Sequence, residues 1–398
     1  MNAVPPTRAG IDLRPLFFGH MACTMAMMAF VSVVAPVARL LGMQPWQAGA
    51  SVTVSGALWM LMARIWGTAS DRRGRRSVLL TGLAGLCAAY LLMCVAIDMS
   101  LRLLPPLALS FGALVLTRGA VGAFFAAVPS VGQALIADHV PPARRSAAMA
   151  AFGAAGAVGL VLGPAAAAWL AQFSLAAPLY GMCALPLLAW LLLWRTLPRD
   201  APHASAGTAP IRLHDARLRR PMAVAFVAMF GVGIAQITVG FYALDRLGLD
   251  AVAAARVAGI ALTLVGVALV LAQLLARRLG VAPRRMIRIG GLLAAAGFAG
   301  AGWVGTVGGL WLCYFVSAAG MGWVFPAFSA LAANAVQAHE QGATAGAIGA
   351  AQGLGMVTGP LIGTLLYAAG PAVPYQLVAA LLLLMALWPG TDTGPGPH

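Results

Sequence analysis

The sequence predicts an all-α membrane protein: twelve transmembrane helices in two pseudo-symmetric six-helix bundles. Three observations lead there. Apolar residues make up 61% of the 398-residue chain and charged residues only 9%, against about a quarter charged in a soluble domain. Twelve apolar stretches come close to or exceed the roughly 20 residues a helix needs to cross hydrocarbon. A glycine-rich stretch of the first half also recurs in the second.

The first stretch, 15-37, is too long for a signal-peptide core, and no small-residue cleavage site follows it; it reads as a retained span 1. Spans 2 to 6 fall at 47-66, 77-97, 104-136, 146-170 and 175-195. Spans 7 to 12 fall at 221-244, 253-276, 286-304, 308-334, 342-369 and 373-389. The connections are short except for 197-220, which is rich in Pro, Ala and Arg. The expected division is therefore a first bundle at 1-196, a cytoplasmic linker at 197-220 and a second bundle at 221-398.

The charges give an orientation. The chain has no Lys, 25 Arg, nine Asp and the single Glu340. With twelve spans, the side that carries both termini holds twenty Arg and the other side four, namely Arg39, Arg102, Arg246 and Arg256. Arg118 alone is left well inside a span. That asymmetry is the positive-inside pattern, so both termini are expected in the cytoplasm of a bacterium, with the spans in its inner membrane. The +15 net charge is spread among loops, which argues for topology and against nucleic acid as a partner. Cys23, Cys87, Cys94, Cys183 and Cys313 sit in apolar segments without CxxC spacing and read as buried thiols. No metal or other cofactor is expected.

At an offset of 196, Gly153, Gly159, Val161, Gly163 and Pro164 of span 5 fall on Gly349, Gly355, Val357, Gly359 and Pro360 of span 11. Both are the fifth span of their half, so the halves form a parallel six-helix repeat, which places a substrate site near the midplane between them. At an offset of 209, Arg75 and Arg76 fall on Arg284 and Arg285, while Asp71 falls on Gly280. The acid is kept only in the first copy.

Three segments carry a resemblance. Gly67-x-x-x-Asp71-Arg72-x-Gly74-Arg75-Arg76 is similar to motif A of the major facilitator superfamily, with Ala69 at a position that is usually Leu. Leu114-x-x-x-Arg118-x-x-x-Gly122 resembles its motif B. Gly153, Gly159, Gly163 and Pro164 resemble the antiporter motif C, with Ala167 and Ala168 in place of a trailing Gly pair. Over nearly its whole length the chain resembles the twelve-helix drug:proton antiporter branch. The resemblance implies secondary transport by alternating access. It gives Asp71 a gating contact with the start of span 11, near Gly342, and gives Arg118 a part in proton coupling.

The residues themselves suggest the following. Asp71 precedes span 3, where the positive end of a helix dipole favours an acid, and Arg72, Arg75 and Arg76 can pair with it or hold lipid headgroups. The span 5 glycines allow close backbone approach, and Pro164 removes one intrahelical bond. Arg118 costs roughly 2.5–3.5 kcal/mol on insertion scales, so it should face the bundle interior or water. No Asp or Glu falls at a midplane position, which leaves Asp71, Asp138 and His20 as proton-coupling candidates. His20 is included because its unperturbed pKa is near 6.5. In the family the cavity is formed by spans 1, 4, 7 and 10. The candidate lining residues are Met27, Phe30, Phe124, Phe226, Phe230, Gln236, Tyr242, Tyr314, Trp323 and Phe328, an apolar set suited to lipophilic or weakly polar solutes. The Met of span 1 reads as adaptable apolar lining rather than a Cu(I) site.

The expected activity is export of small apolar or amphipathic compounds, in exchange for protons, by a monomer bathed in lipid. Two alternatives stay open: export of one native metabolite on the same fold, and a membrane-embedded enzyme. The last would need a catalytic cluster, and the sequence has no HExxH, no GxSxG and no paired intramembrane Asp.

Overall fold

The computed structural model describes residues 11–198, 215–337 and 340–388. Span 1 is Arg14–Leu40, span 2 Pro45–Arg73 and span 3 Arg75–Leu103. Span 4 is two helices, Leu107–Phe125 and Ala127–His139. Span 5 is Pro142–Leu170 and span 6 Ala177–Thr196. Span 7 is Arg219–Asp245, span 8 Ala251–Leu279 and span 9 Pro283–Ala301. Span 10 is Val307–Asn334, span 11 Gln341–Tyr367 and span 12 Val373–Leu387. Ten of these are long and apolar enough to cross a membrane by length and composition. Span 9 carries Arg284, Arg285 and Arg288 in its first turns, and span 12 is 15 residues long.

The expected boundaries change in two places with clear causes. Span 4 breaks at Ala126 because Pro129 has no N–H for the Phe125 carbonyl four residues earlier; Ser130 Oγ donates to the Ala126 carbonyl at 2.7 Å instead. Spans 2 and 3 are joined by one residue. Gly74 sits at φ 90°, a conformation costly for a residue with a Cβ. The motif that reads as a loop is thus the last two turns of span 2. Asp71 lies at the negative end of that helix dipole, not free ahead of span 3. Of the expected linker, 199–214 lies outside the described residues, and a short turn, Ala216–Leu218, leads into span 7.

The face where span 1 begins and span 12 ends is called here the near face, and the opposite one the far face. Two apolar cores fill the molecule. One is built on spans 1 to 6, around Phe30, Leu79, Leu83, Tyr90 and Phe152. The other is built on spans 7 to 12, around Ile234, Tyr242, Tyr314, Phe328 and Tyr375.

Glycine sets the spacing within each half. A Cβ on Gly159 would stand 2.6 Å from the Met21 carbonyl oxygen, and one on Gly163 2.7 Å from that of Met25, so span 5 lies backbone to backbone on span 1. Span 11 lies on span 7 in the same way. A Cβ on Gly359 would stand 2.7 Å from the Phe230 carbonyl, and Gly355 approaches the Phe226 carbonyl more closely still. The pairs Gly159/Gly355 and Gly163/Gly359 are those the sequence repeat matches.

The same repeat governs where the halves cross. Span 5 meets span 8 where a Cβ on Gly259 would stand 2.7 Å from the Pro164 carbonyl. Span 11 meets span 2 where a Cβ on Gly49 would stand 2.6 Å from the Pro360 carbonyl. Both crossings lie in the far half of the membrane. Toward the near face the halves part: Gly67, Gly153 and Gly349 have nothing within 4 Å of an added Cβ.

This separates the motif C glycines by energy. Gly159→Ala forces a backbone shift and should lower stability by about 1–3 kcal/mol, the usual range for overpacking. Gly153→Ala meets nothing and should be neutral or stabilising by up to about 1 kcal/mol. Thermal melting of the two variants in detergent checks this; equal melting points would refute the close seam.

Candidate functional site

The near end of the first half is organised around Arg75, which is 6% exposed. Its guanidinium pairs with Asp71 one turn earlier and with Asp138 at the end of span 4, at 2.8 Å. It also donates to Ser70 Oγ at 2.6 Å. Arg76 reaches the Trp194 carbonyl at the end of span 6, at 2.7 Å. Trp66 Nε1 donates to the Ala123 carbonyl at 2.7 Å. Spans 2, 3, 4 and 6 are thereby tied at one end. Two sequence candidates, Asp71 and Asp138, share one arginine. The partner that the structure gives Asp71 is Arg75, within its own half.

Arg118 lies deep in the first bundle, 2% exposed. Its Cζ stands 4.5 Å over the Phe30 ring, and Nη1 approaches Met27 Sδ at 3.3 Å. Its Nε has no partner, and among the described residues no carboxylate pairs with it. A π face and a sulfur are soft partners for a cation. The reason for Gly122 is different: span 4 runs so close to Ser55 of span 2 that a Cβ there would strike its backbone.

His20 stacks on Phe152 of span 5, with centroids 4.2 Å apart and planes 13° apart. A Cβ on Gly156 would stand 2.5 Å from its Nε2, and its Nδ1 has no partner. The candidate sits in the seam between spans 1 and 5.

The far face holds what closes the two halves. Arg39, at the end of span 1, pairs with Asp245, at the end of span 7, at 2.6 Å, each about one-third exposed. The guanidinium also lies 5.4 Å from the Phe241 ring centre, and Phe241 packs against Tyr367. Thr53 of span 2 donates to the Val357 carbonyl of span 11 at 2.8 Å. Neither residue was among the site candidates. The available signal was charge: the far side holds only four arginines, Arg39 among them, and three acids, Asp98, Asp245 and Asp250.

A cavity of about 600 Å³ lies in the near half of the second bundle, lined by Met229, Gln273, Ala276, Arg277, Met286, Phe325, Pro326, Phe328, Ser329 and Gln352. A smaller one deeper in, lined among others by Gln236, Phe298, Tyr314 and Phe325, adjoins it at Phe325. Of the cavity candidates, Phe328, Gln236 and Tyr314 line these spaces. Tyr314 donates to the Ala235 carbonyl at 2.9 Å. Tyr242 is fully buried and donates to the Val304 carbonyl at 2.7 Å. Phe30 is buried beneath Arg118. Phe226 and Phe230 stack along the span 7–span 11 seam. Phe124 packs on Trp66, and Trp323 Nε1 donates to the Ala272 carbonyl at 3.0 Å. The polar groups Gln273, Arg277, Ser329 and Gln352 were not among the candidates. Gln273 and Arg277 stand four apart on span 8, outside the set of spans 1, 4, 7 and 10.

The family model for the Major Facilitator Superfamily matches residues 16–311 and 252–396. The chain belongs to the major facilitator superfamily. The class G tetracycline resistance protein of Vibrio anguillarum is 28% identical over 369 residues, covering 85% of this chain and 86% of that protein. The human organic anion transporter MFSD10 superposes with a TM-score of 0.65 at 21% identity, over 96% of this chain and 99% of that one. A bacterial homologue of the human lysosomal transporter Spinster, inward-facing and unoccupied, superposes at 0.72 with 15% identity, over 94% and 93%. The two superpositions speak to the fold. The chain is thus a multi-pass membrane transporter of small molecules and not an enzyme.

The described acids all lie away from the centre of the bundles. Asp71 and Asp138 share Arg75, Asp98 pairs with Arg102, and Asp245 pairs with Arg39. Asp215 and Glu340 share Arg217. Asp12 accepts from the Arg14 N–H, and Asp250 caps span 8 by accepting from Val252 and Ala253. All eight described acids are engaged, and none is at mid-membrane.

Two outcomes follow for these contacts. Arg75→Ala leaves two carboxylates facing each other without their cation, so it should lower the melting temperature more than Asp71→Asn does; the reverse order would refute the shared-arginine reading. Asp245→Asn should loosen the far face, so that spin labels at Trp46 and Ala369 report longer distances. The swap Arg39→Asp with Asp245→Arg should restore the short distance. Unchanged distances in Asp245→Asn would show that the ion pair does not hold the halves.

Proposed function

We propose that this chain exports small apolar or amphipathic compounds across a bacterial inner membrane by alternating access, in exchange for protons. The observation that carries the reading is the geometry of closure: the halves touch at the far face, and the larger cavity lies toward the near face. The excess of arginine on the near face supports the cytoplasm as that side. The state is then one that loads cargo from inside. The likeness to a tetracycline resistance protein supports export over uptake, and a tetracycline is a sensible first cargo to try.

In this reading the chain works as a monomer, with a first bundle at 1-196 and a second at 221-398 that rock about the two Gly–Pro crossings. Asp71 acts as a gate: its bond to Arg75 is the partner it keeps while the near face is open, and span 11 is the partner it takes when that face closes. Arg72 and Arg73, exposed beside it, hold lipid headgroups. Proton exchange falls to Asp71, Asp138 or His20, with Arg118 as the positive charge that raises the cost of a second cation in the first bundle.

Cells that lack other pumps and express this chain should accumulate several-fold less tetracycline or lipophilic dye than control cells, and a protonophore should abolish the difference. Arg118→Ala, if present in the membrane at normal levels, should lose that difference. Equal accumulation of every compound with and without the protein would sink multidrug export and leave a dedicated cargo. Export that survives the protonophore would remove the proton.

A further inference from the structure

We infer that the cavity of the second half selects amphipathic organic anions, an inference that rests on the export reading above and names its cargo class. The cavity wall brings together Gln273 and Arg277 of span 8, Ser329 of span 10 and Gln352 of span 11, beside Met286 and Phe325. Among the described residues, neither the Arg277 guanidinium nor the two amide ends has a hydrogen-bond or ion-pair partner. Every described acid is engaged elsewhere, at a helix end. Arg277 itself is exposed, in the last turn of span 8, and the buried Arg118 is likewise without a described carboxylate. The wall therefore presents a planar cationic fork and two amides to whatever enters, and no carboxylate faces them.

That donor set fits a carboxylate or sulfonate, which a guanidinium grips through two parallel bonds. Methionine and aromatic walls adapt to the apolar body behind the head. A volume of about 600 Å³ is in the range that holds a drug-sized molecule. A cationic amphipath would meet like charge at Arg277, with no described acid beside it to relieve the repulsion. Simple retention of arginine at a cytoplasmic end does not account for the placement, because the neighbouring Arg278 fills that role and does not line the cavity.

The test uses one ring with three heads: 2-naphthoate, 2-naphthylmethylammonium and 2-naphthylmethanol. Binding is measured to the full chain in nanodiscs of zwitterionic lipid, with empty discs subtracted. The anion should bind at least about tenfold tighter than the cation, a difference of about 1.4 kcal/mol. Arg277→Gln should erase that preference, Arg277→Glu should reverse it, Arg277→Lys should keep part of it, and Arg278→Gln should leave it unchanged. Equal binding of anion and cation to the native chain overturns the inference, as does an equal loss in Arg278→Gln and Arg277→Gln. Cell export separates the two readings. Export of naphthylmethanol without any anion preference leaves the export reading standing and removes this one. Selective, Arg277-dependent binding of naphthoate without export of any of the three does the opposite.

Discussion

Charge inside hydrocarbon must be paired, hydrated or kept at the ends of the helices, and in this chain ten acids serve twenty-five arginines. That shortage shapes the molecule. Arg75 answers two carboxylates at once and so joins spans 2, 3 and 4 at the near face. Arg39 and Asp245 form an ion pair across the far face, one from each half. Arg217 ties the approach to span 7 to the start of span 11 through Asp215 and Glu340, and its guanidinium holds the Asp215 carboxyl below the usual value. Once these pairs are made, no described carboxylate remains for the interior, and Arg118, which is buried, and Arg277, exposed at the end of span 8 on the cavity wall, are left without one.

Backbone contact supplies what charge does not. Within a half, spans 5 and 1, and spans 11 and 7, approach over several successive glycines, so each pair behaves as a unit. Between halves, the backbone approach is made at Gly49 on Pro360 and Gly259 on Pro164, and side chains carry the contact on: Gly56 meets Val357, Gly266 meets Val161 and Gly240 meets Ala35. The difference matters for a transporter. A long seam of backbone contact resists separation, whereas side chains around a backbone crossing can repack as the halves move. Proline at each crossing also removes an intrahelical donor, so spans 5 and 11 can bend where the halves meet.

The fold was legible because it rests on patterns that sequence carries directly. Span length, arginine asymmetry and the glycine repeat at offset 196 each follow from a local rule, and the structure pairs the same glycines, Gly159 with Gly355 and Gly163 with Gly359, in equivalent seams. The site was less legible. That Asp71 and Asp138 share Arg75 depends on how spans 2, 3 and 4 converge, and nothing local records that. Arg39 and Asp245 are 206 residues apart and meet only because the pseudo-two-fold brings the ends of spans 1 and 7 together. The cavity depends on rotation of span 8 about its own axis. Apolar composition all round that helix hides the face that Gln273 and Arg277 share, and attention to spans 1, 4, 7 and 10 passed over it. Span 4 was expected as one helix, although Pro129 marks where it breaks.

The lack of a free central acid bears on how a proton could be used at all. Under the proton-exchange reading, a carboxylate in mid-membrane would alternate between cargo and proton, and here none is available. The described carboxylates are all partners of arginine or of backbone N–H groups at the ends of spans. Protonating one of them does not empty a binding site; it weakens a contact that holds an end together. Such contacts are the Arg75 pairs of Asp71 and Asp138 at the near face and the Arg39 pair of Asp245 at the far face. Coupling of this kind acts on the equilibrium between the two open states rather than on cargo affinity, because a ligand shifts a two-state balance only by its differential binding to the states. It also acts apart from the cavity: Gln273, Arg277, Ser329 and Gln352 line its wall and take part in none of those contacts, so under the anion-selective inference the choice of cargo and the coupling fall to different groups.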